Sequence, residues 1–193
     1  MVVVTAALGI EFPAVGSPPK RVVKATHEKI NEFLRRERAH PGQKTSLDRR
    51  IKGLVEQLID FDVLARSAMG KRWGQLDEAK QKTFVDLFRE LVERSYLNKL
   101  RGRLDYTLQY GRAVQFGNGA KVAVTVVRMN RGRRETTDIE YRMRRLAGRW
   151  RVVDVVTNQV SLARNYRRSF ARIMRRDGYD GLIRKMKRKI AKL

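Results

Sequence analysis

The chain contains no cysteine and, among its 193 residues, only two histidines, His27 and His40. Without thiols it can form neither disulfide bonds nor thiolate metal sites, and this absence fits the periplasm as well as the cytosol. Each histidine stands without another histidine near it in sequence, whereas zinc and related metals need several ligands at short spacing. We therefore predict no metal or other cofactor, and we predict that both histidines lie on the surface.

Long hydrophobic runs are also absent. The longest candidate, Met1 to Ile10, stops at Glu11, well short of the roughly 20 residues that span a bilayer. Its valines and alanines resemble the apolar part of an export signal, and small residues follow it, as at a cleavage site. An ordinary N-terminal tail is the alternative. We predict that residues 1–16 are a signal-peptide remnant or a disordered tail, and that residues 17–193 form a single domain.

Catalytic motifs are missing as well. The sequence has neither G-x-S-x-G nor H-E-x-x-H, and its stretch Gly42-Gln43-Lys44-Thr45 lacks the glycine that precedes lysine in a phosphate-binding loop. Asp62 and Asp154 lie among apolar residues, so a buried pair of acids is one possibility. Simpler roles are a helix cap for Asp62 and a hydrogen-bond acceptor at a strand end for Asp154. We expect no enzyme activity.

Positive charge, in contrast, is abundant. The formal net charge is +24 and the pI is about 11.2. The excess is spread along the chain and peaks over residues 164–193, which hold 12 basic and two acidic residues. Such a charge attracts polyanions, either nucleic acid or an anionic membrane surface. A basic nucleic-acid-binding protein is therefore the main alternative function, although no zinc-finger or RRM signature is present.

Hydrophobic periodicity predicts helices over the first half of the chain. A first helix ends at Pro41-Gly42, and Thr45 or Ser46 caps the second. Asp62 is placed to cap a third helix, and Asp77 opens a long fourth one. The apolar stripes of these helices include Val22, Val23, Thr26, Ile30, Phe33 and Leu34, then Leu47, Ile51, Leu54, Val55, Leu58 and Ile59, and finally Phe84, Phe88, Leu91, Val92 and Tyr96.

The period changes from helical to alternating after Leu104, which predicts strands. Turn signals at Asn118-Gly119, Gly132 and Ala147-Gly148 separate four alternating segments. Helical periodicity then returns in two stripes that Gly178 interrupts. Helices, an antiparallel meander and further helices indicate an α+β fold. We predict a curved antiparallel sheet of about four strands covered by helices, cone-like, with an internal apolar cavity.

Several short motifs, taken in order and at their spacing, resemble the MlaC (toluene-tolerance) family of phospholipid-binding proteins. The resemblance covers roughly residues 20–190. Asn158 and Gln159 depart from it, because the family often has an acidic residue and glycine there. The matching motifs are Phe61-Asp62 with Ala65, Met69, Gly70 and Trp73; Gln81 with Phe84, Phe88, Leu91, Tyr96 and Leu100; residues 138–143; residues 148–155; Val160-Ser161-Leu162 with Asn165-Tyr166-Arg167 and Phe170; and Gly178, Gly181, Leu182 and Ile183.

The resemblance implies a periplasmic, non-enzymatic carrier whose cavity holds the acyl chains of a phospholipid. It implies as partners an inner-membrane ABC transporter complex with its substrate-binding ring and an outer-membrane lipoprotein complex. We also expect transient contact with anionic membrane surfaces and no specific nucleic acid. Periodicity alone cannot separate cavity residues from core residues. The candidate lipid-binding residues are Phe61, Phe84, Phe88, Leu91, Tyr96, Val124, Val126, Ile139, Tyr141, Val152 and Phe170.

Overall fold

The computed structural model describes residues 17–40, 44–101 and 106–193. The predicted signal remnant or tail over residues 1–16 lies outside these residues. In chain order the described elements are α1 (Pro19–Ala39), α2 (Lys44–Leu58), α3 (Phe61–Met69), a 3₁₀ helix (Gly70–Gln75), α4 (Glu78–Arg101), β1 (Tyr106–Phe116), β2 (Gly119–Asn130), β3 (Arg133–Leu146), β4 (Arg149–Thr157), β5 (Val160–Ser161) and α5 (Leu162–Ala191). The predicted α+β architecture is confirmed.

Two of the predicted helix starts are wrong. Asp60, not Asp62, caps α3, because its Oδ1 accepts a hydrogen bond of 2.9 Å from the Val63 N–H; Asp62 lies exposed in the first turn. Helix α2 already includes Thr45 and Ser46, so neither of them is its N-cap. Asp77 does open α4, since its Oδ1 accepts a hydrogen bond of 2.8 Å from the Lys80 N–H.

The five strands form an open antiparallel sheet in the order β1-β2-β3-β4-β5. Two-residue turns join the first four, and the turns after β2 and β3 have positive φ at both residues (Arg131 and Gly132, then Ala147 and Gly148). This backbone matches the twist of a hairpin. The first turn consists of Gly117 and Asn118, one residue earlier than predicted. A further short turn leads into the two-residue strand β5, which was not predicted.

Among the described residues, two buried clusters make up the core. The first lies among the helices and contains side chains of all five, including Leu34, Ile51, Leu64, Phe84 and Leu182. The second lies between the sheet and the start of the helical layer, where Val22 and Val23 of α1 and Leu58 of α2 contact β2, β3 and β4. The segment after α2 joins the two layers, because the Asp60 N–H donates a 2.9 Å hydrogen bond to the Val152 carbonyl.

Helix α5 begins where the sheet ends. Ser161 is its N-cap and accepts a 3.1 Å hydrogen bond from the Arg164 N–H. Asp154 of β4 holds this corner: it accepts hydrogen bonds from the Ser161 hydroxyl at 2.6 Å and from the Ala163 N–H at 3.1 Å. The predicted acceptor role of Asp154 is thereby confirmed. At Gly178 the backbone leaves the helical conformation (φ 64°, ψ −170°), so the two predicted stripes belong to two helical segments.

Candidate functional site

The helix-covered face of the sheet carries a continuous set of apolar side chains. Opposite pairs in the ladder point to the same face, and the pairs Tyr110–Val124, Val124–Ile139 and Val122–Tyr141 are all in register. Val122 and Val124 are 0% and 1% exposed, while Ile139 and Tyr110 are half-buried. The face is therefore closed under α1 at its centre and less tightly covered toward β1.

Helix α1 places His27 on this face, between two tyrosines. The imidazole Nδ1 is 3.0 Å from the Tyr110 hydroxyl, and Nε2 is 2.9 Å from the Tyr141 hydroxyl. His27 is only 6% exposed. The prediction of a surface histidine is thus wrong for His27, whereas His40 is exposed as predicted. The sequence contained the signal, because His27 lies four residues after Val23 and three before Ile30 and so shares their helical stripe.

Burial keeps this histidine neutral. Desolvation disfavours the charged ring and lowers the pKa of His27 to about 4. A neutral imidazole has one N–H donor and one acceptor nitrogen, so it can donate to one tyrosine hydroxyl and accept from the other. Both ring nitrogens therefore have hydrogen-bonding partners although the ring is buried.

Two further tyrosines extend this polar group. The Tyr106 hydroxyl donates a 2.5 Å hydrogen bond to Oδ1 of Asn31 on α1. Burial raises the pKa of Tyr96, on α4, and the nearby Tyr106 and Tyr110 raise it further. Burial likewise raises the pKa of Tyr141. We refer to His27, Tyr96, Tyr106, Tyr110 and Tyr141 as the tyrosine cluster; of these, Tyr96 and Tyr141 were among the candidate residues.

The candidate residues divide between the two buried clusters. The aromatic ones on the helices contact one another: Phe84 and Phe88 stack with centroids 5.7 Å apart, and Phe170 meets both edge-on. Phe61 and Leu91 belong to the same helical core. The structure thus places these five candidates, Phe61, Phe84, Phe88, Leu91 and Phe170, among the helices. Their assignment to a lipid site stays a prediction.

The candidates on the strands lie on the helix-covered face of the sheet. Val124, Tyr141 and Val152 are buried there, and Ile139 packs against them. Val126 is half-buried, and its ladder partner on β1 is Leu108. Its neighbour Val127, predicted for the other face, is the more buried of the two at 9% exposed. The clean alternation expected along β2 therefore holds only up to Val124.

The opposite face of the sheet carries an open depression of about 420 Å³. Its lining mixes the apolar residues Ala123, Ile139 and Val156 with polar and charged ones that include Thr125, Glu140, Arg142 and Arg164. Arg142 lies 2.8 Å from Glu140 and 3.7 Å from Asp154. These ion pairs make the depression a poor environment for hydrocarbon, and they hold Asp154 in a structural network.

Asp62 is exposed, so Asp62 and Asp154 do not form the buried pair that acid/base chemistry would need.

Comparison with known proteins identifies both a family and a similar fold. The family model for the MlaC protein matches residues 24–188. A solved structure, the phospholipid-binding protein from Ralstonia solanacearum in complex with a phospholipid, superposes with a TM-score of 0.75 at 23% identity, covering 91% of this chain and 98% of that one. No curated protein matches the chain.

The helical layer over a five-stranded antiparallel meander defines an α+β protein with the fold of that phospholipid-binding protein. Since the family model spans most of the chain, from α1 into α5, the chain belongs to the MlaC family. Among the residues that the structure describes, no helix is long and apolar enough to cross a membrane.

Proposed function

We propose that this chain is a periplasmic phospholipid carrier. It binds acyl chains between α1, α4 and the helix-covered face of the sheet, and it leaves the head group in water. The match to the MlaC family over residues 24–188 carries the proposal. The phospholipid bound to the structurally similar protein supports the ligand class.

The tyrosine cluster and its surroundings are the part of the interior best suited to a lipid. Here half-buried apolar side chains, such as Leu108, Val126 and Ile139, lie beside hydroxyl groups. Apolar walls shelter methylenes, and tyrosine hydroxyls can donate to ester carbonyls. The stacked rings of Phe84, Phe88 and Phe170 belong to the helical core, and contact between these rings and the acyl chains stays a prediction.

The energetics require a docking step. Each buried methylene contributes about 0.8 kcal/mol, so an acyl chain of about 16 carbons gains on the order of 13 kcal/mol relative to water. A bilayer shelters the same methylenes equally well, so the carrier exchanges lipid only while it is docked. We propose as docking partners an inner-membrane ABC transporter complex with its substrate-binding ring and an outer-membrane lipoprotein complex. The transporter supplies the energy, and this chain acts as an auxiliary, non-enzymatic component that maintains outer-membrane lipid asymmetry and toluene tolerance.

Native mass spectrometry of protein purified from cells, followed by organic extraction, tests the carrier proposal. We expect co-purified phospholipid at about one molecule per chain and no release of fatty acid on prolonged incubation. Protein that is free of lipid and takes up none from vesicles would contradict the proposal.

Substitutions in the sheet test the position of the site. Val126→Arg places a charge beside the proposed acyl chains and is expected to reduce lipid recovery at least about ten-fold, since burying a charge in an apolar site is unfavourable. Val160→Arg is the matched control, because Val160 is 51% exposed on β5, the edge strand three strands away from β2. Tyr141→Lys is expected to act like Val126→Arg. Full lipid recovery in a folded Val126→Arg protein would exclude that position from the site.

A further inference from the structure

The end of the β2–β3 hairpin, residues 128–135, combines exposed arginines with an exposed apolar side chain. We call it the hairpin tip. Met129 is 61% exposed, more than any other large hydrophobic side chain in the described ranges. Arg134 lies directly opposite it in the ladder, and Arg133 lies opposite Asn130. Arg131 occupies the turn itself.

The charge of the hairpin tip is largely unbalanced. Its single carboxylate, Glu135, accepts a 2.6 Å hydrogen bond from Nδ2 of Asn130. Within the described ranges, Arg131, Arg133 and Arg134 form no ion pair. Their guanidinium groups are therefore available to anions from solvent or from a partner.

Arg131, in the turn of this hairpin, has a backbone conformation that residues other than glycine rarely adopt. Arg131 has φ 47° and Gly132 has φ 77°, the left-handed pair of a two-residue hairpin turn. Glycine and asparagine adopt the first of these positions more readily than other residues, whose Cβ crowds the carbonyl oxygen.

The hairpin tip adjoins one member of the tyrosine cluster, because Arg128 lies opposite Tyr106 in the ladder. The Arg128 guanidinium lies over the Tyr106 ring, 5.7 Å from its centroid. Tyr106 in turn bonds to Asn31 of α1. Burial raises the pKa of Tyr106, and the charges of Arg128 and of Arg35 on α1 oppose this rise. Arginines of α1 and β2 thus surround one end of the site proposed for lipid.

We propose that the hairpin tip is the surface by which the protein docks on an anionic bilayer. The inference rests on the proposed function, because a bilayer is where a lipid carrier loads or unloads. The arginines bind head-group phosphates, and Met129 inserts among the uppermost methylenes. A bilayer fits better than nucleic acid or an acidic protein surface, because it offers an apolar layer for Met129 directly beneath its phosphates.

Vesicle co-sedimentation tests the contribution of the arginines. The vesicles contain phosphatidylcholine alone or phosphatidylcholine with a third of phosphatidylglycerol. The triple variant R131Q/R133Q/R134Q is expected to bind the anionic vesicles on the order of 100-fold more weakly than the native chain at low salt, since each arginine near the surface contributes about five-fold. Neither protein should bind the neutral vesicles appreciably.

A charge-matched control separates docking from general attraction. R168Q/R172Q/R175Q removes three exposed arginines from α5 and therefore the same total charge. It is expected to weaken vesicle binding less than about five-fold, the loss expected for one arginine at the surface. Equal losses in the two triple variants would overturn the proposal. Native-like vesicle binding by the hairpin-tip variant would also overturn it, and a loss of RNA binding on filters by that variant would then assign the arginines to nucleic acid.

A second pair of variants tests the insertion of Met129 into the bilayer. Met129→Ser is expected to weaken binding to anionic vesicles about five-fold or more, because the inserted thioether is lost. Phe116→Ser is the control, since Phe116 is similarly exposed at 56% but ends β1 opposite Gly119, far along the ladder from the hairpin tip. Unchanged binding of the Met129→Ser protein would overturn insertion.

Native mass spectrometry of the same variants distinguishes this inference from the carrier proposal. Hairpin-tip variants are expected to keep their co-purified phospholipid, because the substituted side chains lie outside the interior. Vesicle binding through the hairpin tip by a chain that never holds phospholipid would support docking and contradict the carrier proposal. Thermal melts that match those of the native chain establish that each variant is folded.

Discussion

His27 lies where α1 crosses the sheet, between the hydroxyls of Tyr110 and Tyr141. Its ring is buried, so its pKa lies at about 4, below the ordinary value of 6.5. Between these two values the unfolded chain binds a proton that the folded chain does not. The stability that the neutral ring provides is therefore present above the unfolded pKa and is lost as the pH falls through this window.

Replacing His27 by glutamine is expected to flatten this pH dependence. Glutamine keeps a donor and an acceptor but does not titrate in this range. The native chain should lose about 3 kcal/mol of unfolding free energy through His27 between about pH 7 and pH 4, a loss that the glutamine variant avoids. Urea unfolding of both proteins at several pH values measures the difference. Parallel pH profiles would show that His27 is hydrated in solution.

Other single residues show how far sequence reasoning extends. Asp77 and Asp154 were predicted correctly, because caps and strand-end acceptors act over a few residues of chain. Asp60 was missed as the cap of α3, since Asp60 and Asp62 both precede apolar residues and only the backbone decides between them. The burial of Glu93, on α4, was not predicted either. Burial, together with the charge of Glu56, raises the pKa of Glu93 to about 7.

At the scale of elements, Gly178 divides α5. Its φ of 64° and ψ of −170° lie in a region that is nearly restricted to glycine. An added Cβ at Gly178 meets no atom within 4 Å, so the backbone alone opposes other residues there. The break directs the second segment back to the helical core, where Leu182, Met186 and Ile190 are buried.

Gly178→Ala is therefore expected to destabilise the protein by about 1–3 kcal/mol. Gly53→Ala is the matched control. Gly53 lies in α2 and its added Cβ also meets no atom within 4 Å, but as a helix-interior position it should gain up to about 1 kcal/mol. Denaturant midpoints of the two variants measure the contrast. A Gly178→Ala protein as stable as the native chain would mean that α5 can straighten without loss of packing.

The elements themselves were largely predictable. Alternation and turn residues located β1 to β4, because the side-chain period of a strand is a local property. The short strand β5 was not predicted, because the turn that precedes it contains no glycine. The two residues of that turn, Asn158 and Gln159, nevertheless both have positive φ. The Asn158 side chain compensates in part, since its Oδ1 accepts a 3.1 Å hydrogen bond from the Asp138 N–H.

At the scale of the whole molecule, the net charge of +24 opposes compactness. Many of the described carboxylates already pair with neighbouring cations, as in Arg36–Glu32 at 2.6 Å and Arg94–Glu90 at 2.8 Å. The remaining cations repel one another across the surface. Salt screens this repulsion, whereas it leaves the buried helical and sheet cores largely unaffected.

The melting temperature is accordingly expected to rise with ionic strength. Raising sodium chloride from about 0.01 to about 1 M shortens the screening length from about 30 to about 3 Å. We expect a rise in Tm of at least about 2–4 °C, equivalent to roughly 1 kcal/mol. R168Q/R172Q/R175Q should show a smaller rise, because it carries less charge to screen. A Tm that falls with salt would indicate that attractive ion pairs outweigh the repulsion.

The sequence by itself determined the α+β order of elements, the capping by Asp77, the strand-end role of Asp154 and the MlaC family, because periodicity, caps and motif spacing are recorded in neighbouring residues. Only the tertiary structure decided that His27 is buried between two tyrosines, and that the candidate residues separate into a helical core and a sheet face. A period tells which side of an element is apolar, but not which distant element covers it. Contacts between α1 and β3 join residues more than a hundred positions apart, as His27 and Tyr141 are, and they form only once the chain has folded.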